Sequence, residues 1–311
     1  MTVYFLSSTP AALRLNGAYM GVIDGIVRRV EVGEGEPLFV EAVPSDNRMP
    51  VNFMLDDNFL AAPPAFADVY LMGSDVLIKI KRYGHKDTTL RPIFQTHFCG
   101  NLITLCRRGD IALCVDRSDG SYDIFELDDG FSAARPAEGN AGGHPVLCIY
   151  SQNRLAIISE GGKLVFNNRV KSYSLGDMLG VTVDFESCAG AVGECSYSYD
   201  GGQFTLVSGR TVETRPVGED VRHFAFFESI LTHADASAYL CGELRDRAGE
   251  LSAYLGEFVD VVIPPQKFYQ KTGEERAAGL VYAVAPNLYR VKFYAADIKC
   301  GLVENIREVE Y

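Results

Sequence analysis

Phe94-Gln95-Thr96-His97-Phe98-Cys99-Gly100-Asn101-Leu102-Ile103-Thr104-Leu105-Cys106 lies near the start of a long stretch, 91–216, in which short apolar segments alternate with tight polar turns. Arg107-Arg108-Gly109-Asp110 follows, then 111–115, then Asp116-Arg117-Ser118-Asp119-Gly120. The segment 122–127 runs into Asp128-Asp129-Gly130. Strands this short, separated by Gly, Asn and Asp, read as an antiparallel meander of hairpins.

Working outward, the meander opens at 66–72 and 76–82, with Gly73-Ser74-Asp75 as the turn between them. Ala61-Ala62-Pro63-Pro64-Ala65 precedes it as a linker, because adjacent prolines favour extended backbone and donate no ladder hydrogen bonds. Residues 132–145, rich in Gly, Ala and Pro, read as a long loop. Strands follow at 146–150, 154–159, 163–168, 181–186, 193–199, 204–208 and 211–215. Hairpins of this length suit either a propeller-like meander or a sandwich.

Ahead of the linker, Leu13-Arg14-Leu15-Asn16-Gly17-Ala18-Tyr19-Met20-Gly21 carries Asn-Gly, the strongest short hairpin signal, since both turn positions need positive φ. With the strands around it, the stretch 9–56 resembles a PEGA-type module, although Pro-Glu-Gly-Ala itself is absent. The resemblance implies a small β domain serving as a non-catalytic accessory in a bacterial-type protein.

The period changes at Glu219. Val221, Phe224, Phe227 and Leu231, and then Leu244, Ala248, Leu251 and Leu255, recur at helical spacing. Three helices are predicted, at about 221–231, 235–241 and 243–255, with Asp235 as an N-cap and Gly242 and Gly256 as stops. Strands return at 258–263, 280–285, 288–295 and 302–309, and 270–276 reads as an exposed loop. This order of elements, with Phe226-Phe227-Glu228-Ser229-Ile230-Leu231 and Ala236-Ser237-Ala238-Tyr239-Leu240, resembles an NTF2-like or SnoaL-type domain. The resemblance implies a cone whose pocket holds a small molecule, performs catalysis or is filled. The expected fold is therefore mostly β with a C-terminal α+β domain: a small β module at 1–60, an antiparallel meander at 66–216, and at 219–311 three helices packed on a curved antiparallel sheet.

Hydrophobic residues make up 47% and charged residues 23% of the 311, a balance that supports a packed core over most of the chain. The net charge of −12 and the lack of a dense Lys/Arg cluster argue against a nucleic-acid partner. No apolar run reaches the roughly 18 residues of a membrane span. The N-terminus lacks the basic region of a signal peptide, so the expected compartment is the cytoplasm, or the envelope if a leader has been removed. None of the eight cysteines stands in a C-x-x-C pair, and most fall within apolar strand segments, as buried thiols do.

No nucleophile elbow, phosphate loop or dinucleotide fingerprint is present. The acidic turn 33–36 would repel a phosphate, and Arg108-Gly109-Asp110 reads as an ordinary turn. His97 and Cys99 share a strand face, and Asp116, Asp119, Asp123, Asp128 and Asp129 gather along one hairpin. Both patterns read as surface or turn chemistry rather than metal ligation. No cofactor or metal is expected. The candidate pocket lies in the C-terminal domain, where Tyr239, Tyr254, Tyr282, Tyr289 and Tyr294 could line a cavity with His233, Arg290 or Lys292 as polar handles. The expectation is a non-catalytic, multi-module binding protein with a protein or carbohydrate ligand. The alternative is a small-molecule carrier or enzyme that uses the C-terminal cone.

Overall fold

The computed structural model of the chain describes residues 1–33, 37–46, 48–85, 90–108 and 110–311, with backbone alone at His85 and Arg108. The acidic turn 33–36, Asn47 and Gly109 of the Arg-Gly-Asp turn thus fall partly or wholly outside the described residues. The fold is mostly β, with 55% of residues in strands and 14% helical, in several antiparallel sheets with five helices. Among the described residues no helix is long and apolar enough to cross a membrane.

Two compact units emerge. One is discontinuous: Met1–Lys86, Glu219–Phe224 and Tyr239–Tyr311. The other comprises Asp87–Gly218 and Ala225–Ala238. Strand pairing runs across the boundaries expected near 60 and 219. Strand Asp75–Ile80 bonds to Thr2–Ser7, and Ala67–Met72 bonds to Leu288–Lys299. Both pairings are parallel, within a sheet that is otherwise antiparallel. Parallel neighbours need a long crossover, and each of these pairs is separated by many intervening residues.

The first unit is built on an eight-stranded sheet. Its path runs Asp260–Val262, Ala277–Ala285, Leu288–Lys299, Ala67–Met72, Asp75–Ile80, Thr2–Ser7 and Arg28–Glu31, with Leu302–Val309 also bonded to Leu288–Lys299. Alternation assigns each strand two faces. Val3, Phe5, Val69, Val76, Ile78 and Ile80 point to one side, where they pack on Leu13, Val40 and Phe53 of a smaller four-stranded sheet. That smaller sheet is Ala18–Ile23, Ala11–Leu15, Leu38–Pro44 and Val51–Leu55. Its Asn16-Gly17 turn has φ of 47° and 84°, the positive values the sequence predicts. The short helix Asp57–Ala61 closes the same core. Asp56 accepts from the Phe59 amide at 2.8 Å, and the rings of Phe53 and Phe59 stack at 4.4 Å.

The second unit is the meander. Three four-stranded antiparallel sheets follow one another in strict chain order: Arg91–Phe98 to Tyr122–Leu127, Arg135–Ala141 to Leu164–Arg169, and Ser172–Ser174 to Phe204–Glu213. Leu105, Leu113 and Phe131 pack against Leu147 and Ile149, joining the first sheet to the second. Cys148, Ile157 and Phe166 pack against Val181 and Cys195, joining the second to the third. Residues 132–145 are mostly sheet rather than loop. Arg135–Ala141 pairs with His144–Ser151 around Gly142-Gly143, whose φ values are 56° and 88°. Glycines that read as loop composition here form a tight hairpin turn.

The helix Arg222–Leu231 matches its prediction and is buried continuously from His223 to Ser229. Its C-terminus closes on His233, at φ 55°, with Ala234 N bonded to Ser229 O at 2.8 Å and His233 N to Ile230 O at 3.0 Å. The middle helix is a single 3-10 turn, Ser237–Tyr239, with Asp235 accepting from the Ser237 amide. The third predicted helix is two, Gly242–Asp246 and Ala248–Leu255, broken at Arg247. Gly242 begins a helix rather than ending one, whereas Gly256 caps one as expected.

Candidate ligand-binding cleft

The second face of the eight-stranded sheet carries the side chains that alternate with the core: Thr2, Tyr4 and Leu6; Tyr70 and Met72; Asp75, Leu77 and Lys79. In register, Tyr4 lies opposite Leu77 and Leu77 opposite Tyr70, while Leu6 lies opposite Lys79. Part of this face is covered by the helix Gln266–Thr272. That segment was expected to end in an exposed loop, but Pro265 starts a helix and Gly273, at φ 73°, stops it. Phe268 anchors it, fully buried, with its ring 4.5 Å from that of Phe293 and 5.4 Å from that of Tyr311. Truncating such a side chain costs about 3–5 kcal/mol.

The uncovered part of the face forms a cleft of about 480 Å³. Its floor is Tyr4, Leu6, Tyr70, Met72, Leu77 and Lys79. The segment from Asp260 to Gln270 makes one wall, and Val27 and Arg29 of the sheet edge make another. Apolar atoms make up the larger part of the lining taken as a whole, with polar groups at a few fixed points, which is the usual make-up of a small-molecule site.

A buried polar network stiffens one end. Asp75 is 1% exposed. It accepts from Tyr311 at 2.8 Å and sits 3.4 Å from the Lys267 ammonium, which also donates to Thr2 at 2.7 Å. Burial alone would raise the Asp75 carboxyl. The hydrogen bonds from Tyr311 and Thr2, with the Lys267 charge, outweigh it and hold the group below its ordinary value. The Tyr4 hydroxyl is pushed up by burial and by the Asp75 charge, and that of Tyr311 by burial and its bond to Asp75. Toward the opposite side Tyr70 stacks on Tyr289 at 4.9 Å, and its hydroxyl is pushed up by burial, with Asp68 and Asp260 adding to the effect.

The residues singled out from sequence fall elsewhere. Tyr254, Tyr282 and Tyr294 do come together. The Tyr254 and Tyr294 rings meet edge-on at 6.0 Å, and Tyr282 donates to Leu255 O at 2.6 Å. Tyr294, buried, approaches Glu308 at 3.5 Å, and Lys292 pairs with the same carboxylate. Tyr239 is buried and Arg290 exposed. His233 is exposed and belongs to the second unit, whereas the tyrosines and Arg290 belong to the first. Tyr289, by its stack on Tyr70, touches a cleft residue. His97 is exposed, and Cys99 occupies a turn at φ 46° beyond the strand end. Asp119 caps Ser121, Asp123 pairs with Arg117, and Asp128 pairs with Arg154, so these three acids serve turns and local pairs. All eight cysteines are free thiols, with Cys106, Cys148, Cys188 and Cys195 buried.

The cleft residues were missed because three distant segments, 4–29, 70–79 and 260–291, supply them. The exposed large apolar side chains include Tyr19, Phe39 and Met54 of the small sheet, and Tyr122 and Ile124 of the first meander sheet. No protein-family model matches the chain, and no curated protein matches it.

Proposed function

We propose that the protein is a non-catalytic binding protein that takes a small ligand in the cleft of its first unit. The observation that carries this reading is the cleft itself: a concave, mainly apolar space of about 480 Å³ beside a polar network already fixed by hydrogen bonds. Groups held in place before binding lose little freedom when a ligand arrives. The likenesses of 9–56 to an accessory module and of 219–311 to a ligand-holding α+β domain form part of the same proposal. The expected protein or carbohydrate ligand has a separate basis in Phe39 and Met54, which face each other across neighbouring strands and are 40% and 42% exposed. We favour the cleft, because it is a concave space with polar groups at fixed points.

The test is a thermal-shift screen of the intact chain against metabolites, sugars and short peptides, repeated on Leu77→Trp, which fills the middle of the floor. A ligand at a hundredfold excess over its Kd stabilises the folded state by about 2.7 kcal/mol. The expected result is a hit that raises the melting midpoint of the native chain and not that of Leu77→Trp. Equal shifts in both would put the ligand elsewhere and end the proposal.

A further inference from the structure

The geometry points to one ligand class for this cleft, an inference that rests on the binding reading above: an amphipathic anion, with an apolar body over Leu77 and a carboxylate or phosphate held by Lys79. On a chain of net charge −12, the cleft lining carries three cations, Arg29, Lys79 and Lys267, and one anion, Asp260. Two of the cations are engaged. Lys267 is held by Asp75 and Thr2, and Arg29 by Glu31.

Lys79 is different. The acid directly opposite it in strand register is Asp68, and Asp68 is taken by Lys81 at 2.6 Å, which Asn287 also accepts from at 2.9 Å. Among the described residues Lys79 has no ion pair, although its side chain is half-buried in the cleft floor. An ammonium carries three donors and no acceptor, so the group it invites is an acceptor, and an anionic acceptor adds charge attraction to the hydrogen bond.

The surroundings define the rest of the ligand. Leu6 lies beside Lys79 on the neighbouring strand, and Leu77 is the next residue on the same face. Val262, Ile263 and Val291 supply apolar surface farther along. A head group on Lys79 therefore leaves the ligand body on aliphatic side chains. Arg29, at the rim with its side chain half-exposed, sits where it can turn toward an incoming anion. Among the described residues that line the cleft, Asp260 is the one acid a cationic ligand would meet, and that carboxylate already accepts from the Val261 amide at 2.8 Å.

Isothermal titration of the intact chain with decanoate, decyl phosphate, decyl glucoside and decyltrimethylammonium, each below its micelle-forming concentration, tests this. The expected result is that decanoate or decyl phosphate binds at least tenfold more tightly than the neutral and cationic amphiphiles. Which of the two anions wins separates a carboxylate ligand from a phosphate one. Lys79→Met should weaken the anions at least tenfold, leave decyl glucoside unchanged and keep the native melting midpoint, while Lys79→Arg should retain anion binding. Equal binding of all four amphiphiles, or native decanoate affinity in Lys79→Met, overturns the anion assignment and leaves the cleft reading standing. If none of the four binds, the amphipathic-anion assignment fails while the metabolite screen still decides the cleft reading, and if Leu77→Trp binds them as the native chain does, both fail.

Discussion

His223 is 1% exposed at the start of the helix Arg222–Leu231, with its ring 4.2 Å from that of Phe224. Burial lowers its pKa from 6.5 to about 4, with the Ala277 backbone and Asp220 opposing and Arg276 adding to the effect. The folded state thus holds this imidazole neutral over a range where the unfolded chain protonates it. Above pH 6.5 the group is neutral in both states and costs nothing. As pH falls from 6.5 toward 4 only the unfolded state gains the proton, so stability drops, by about 3 kcal/mol in all. Urea unfolding at pH 7 and pH 4.5 should show this loss, and His223→Phe should remove most of it. An unchanged pH slope in that variant would place the acid sensitivity elsewhere. Single residues were legible in sequence where their backbone demands were local, as with Asn16-Gly17. Cys99-Gly100 and Cys300-Gly301 make similar positive-φ turns, but with a cysteine where glycine or asparagine is usual. Lys79 was not legible as a cleft residue, because nothing local tells a solvent-facing lysine from one facing a cleft.

At the scale of elements, the third meander sheet and the helix that follows it dock through contacts that leave no room for a Cβ. A methyl on Gly209 would lie 2.3 Å from the His233 carbonyl oxygen, and one on Gly193 would lie 2.9 Å from Thr232 Oγ1. The same seam is tied by Thr211 to Ser229 at 2.6 Å and by the Ser187 amide to Glu228 at 2.9 Å. Gly209→Ala should therefore cost about 1–3 kcal/mol, because the obstacle is backbone rather than a movable side-chain tip. Chemical denaturation checks it; a loss under about 0.5 kcal/mol, the scale of an ordinary surface change, would mean that the seam yields. Helix Arg222–Leu231 was legible because its apolar residues repeat over ten positions. Gln266–Thr272 was not: two turns anchored by one phenylalanine give too little periodicity to separate from a loop. The hairpin at 135–151 was hidden by its own glycines, which serve both loops and tight turns.

For the whole molecule, alternation along a strand tells which side chains share a face but not which strands are neighbours. That is why the meander was readable, being local in sequence, while the eight-stranded sheet was not. Its members come from 2–80 and 260–309, and the cleft inherits the same obstacle. A fragment test follows. Residues 87–238 contain the second unit whole and should unfold cooperatively on their own. Residues 219–311 alone should not, because Leu288–Lys299 then lacks Ala67–Met72 beside it and the Val69 amide bond to Asn287 O is missing. Far-UV circular dichroism with a urea series distinguishes the outcomes, and a cooperative transition in 219–311 would show that the C-terminal part is self-sufficient. The parallel pairing of Leu288–Lys299 with Ala67–Met72 also has a consequence during synthesis. At about 5–20 residues per second, the later strand leaves the ribosome roughly ten to forty seconds after the earlier one. For that interval Ala67–Met72 carries an open hydrogen-bonding edge in the nascent chain, a target for chaperones and for stray β-pairing, until Leu288–Lys299 arrives to close it.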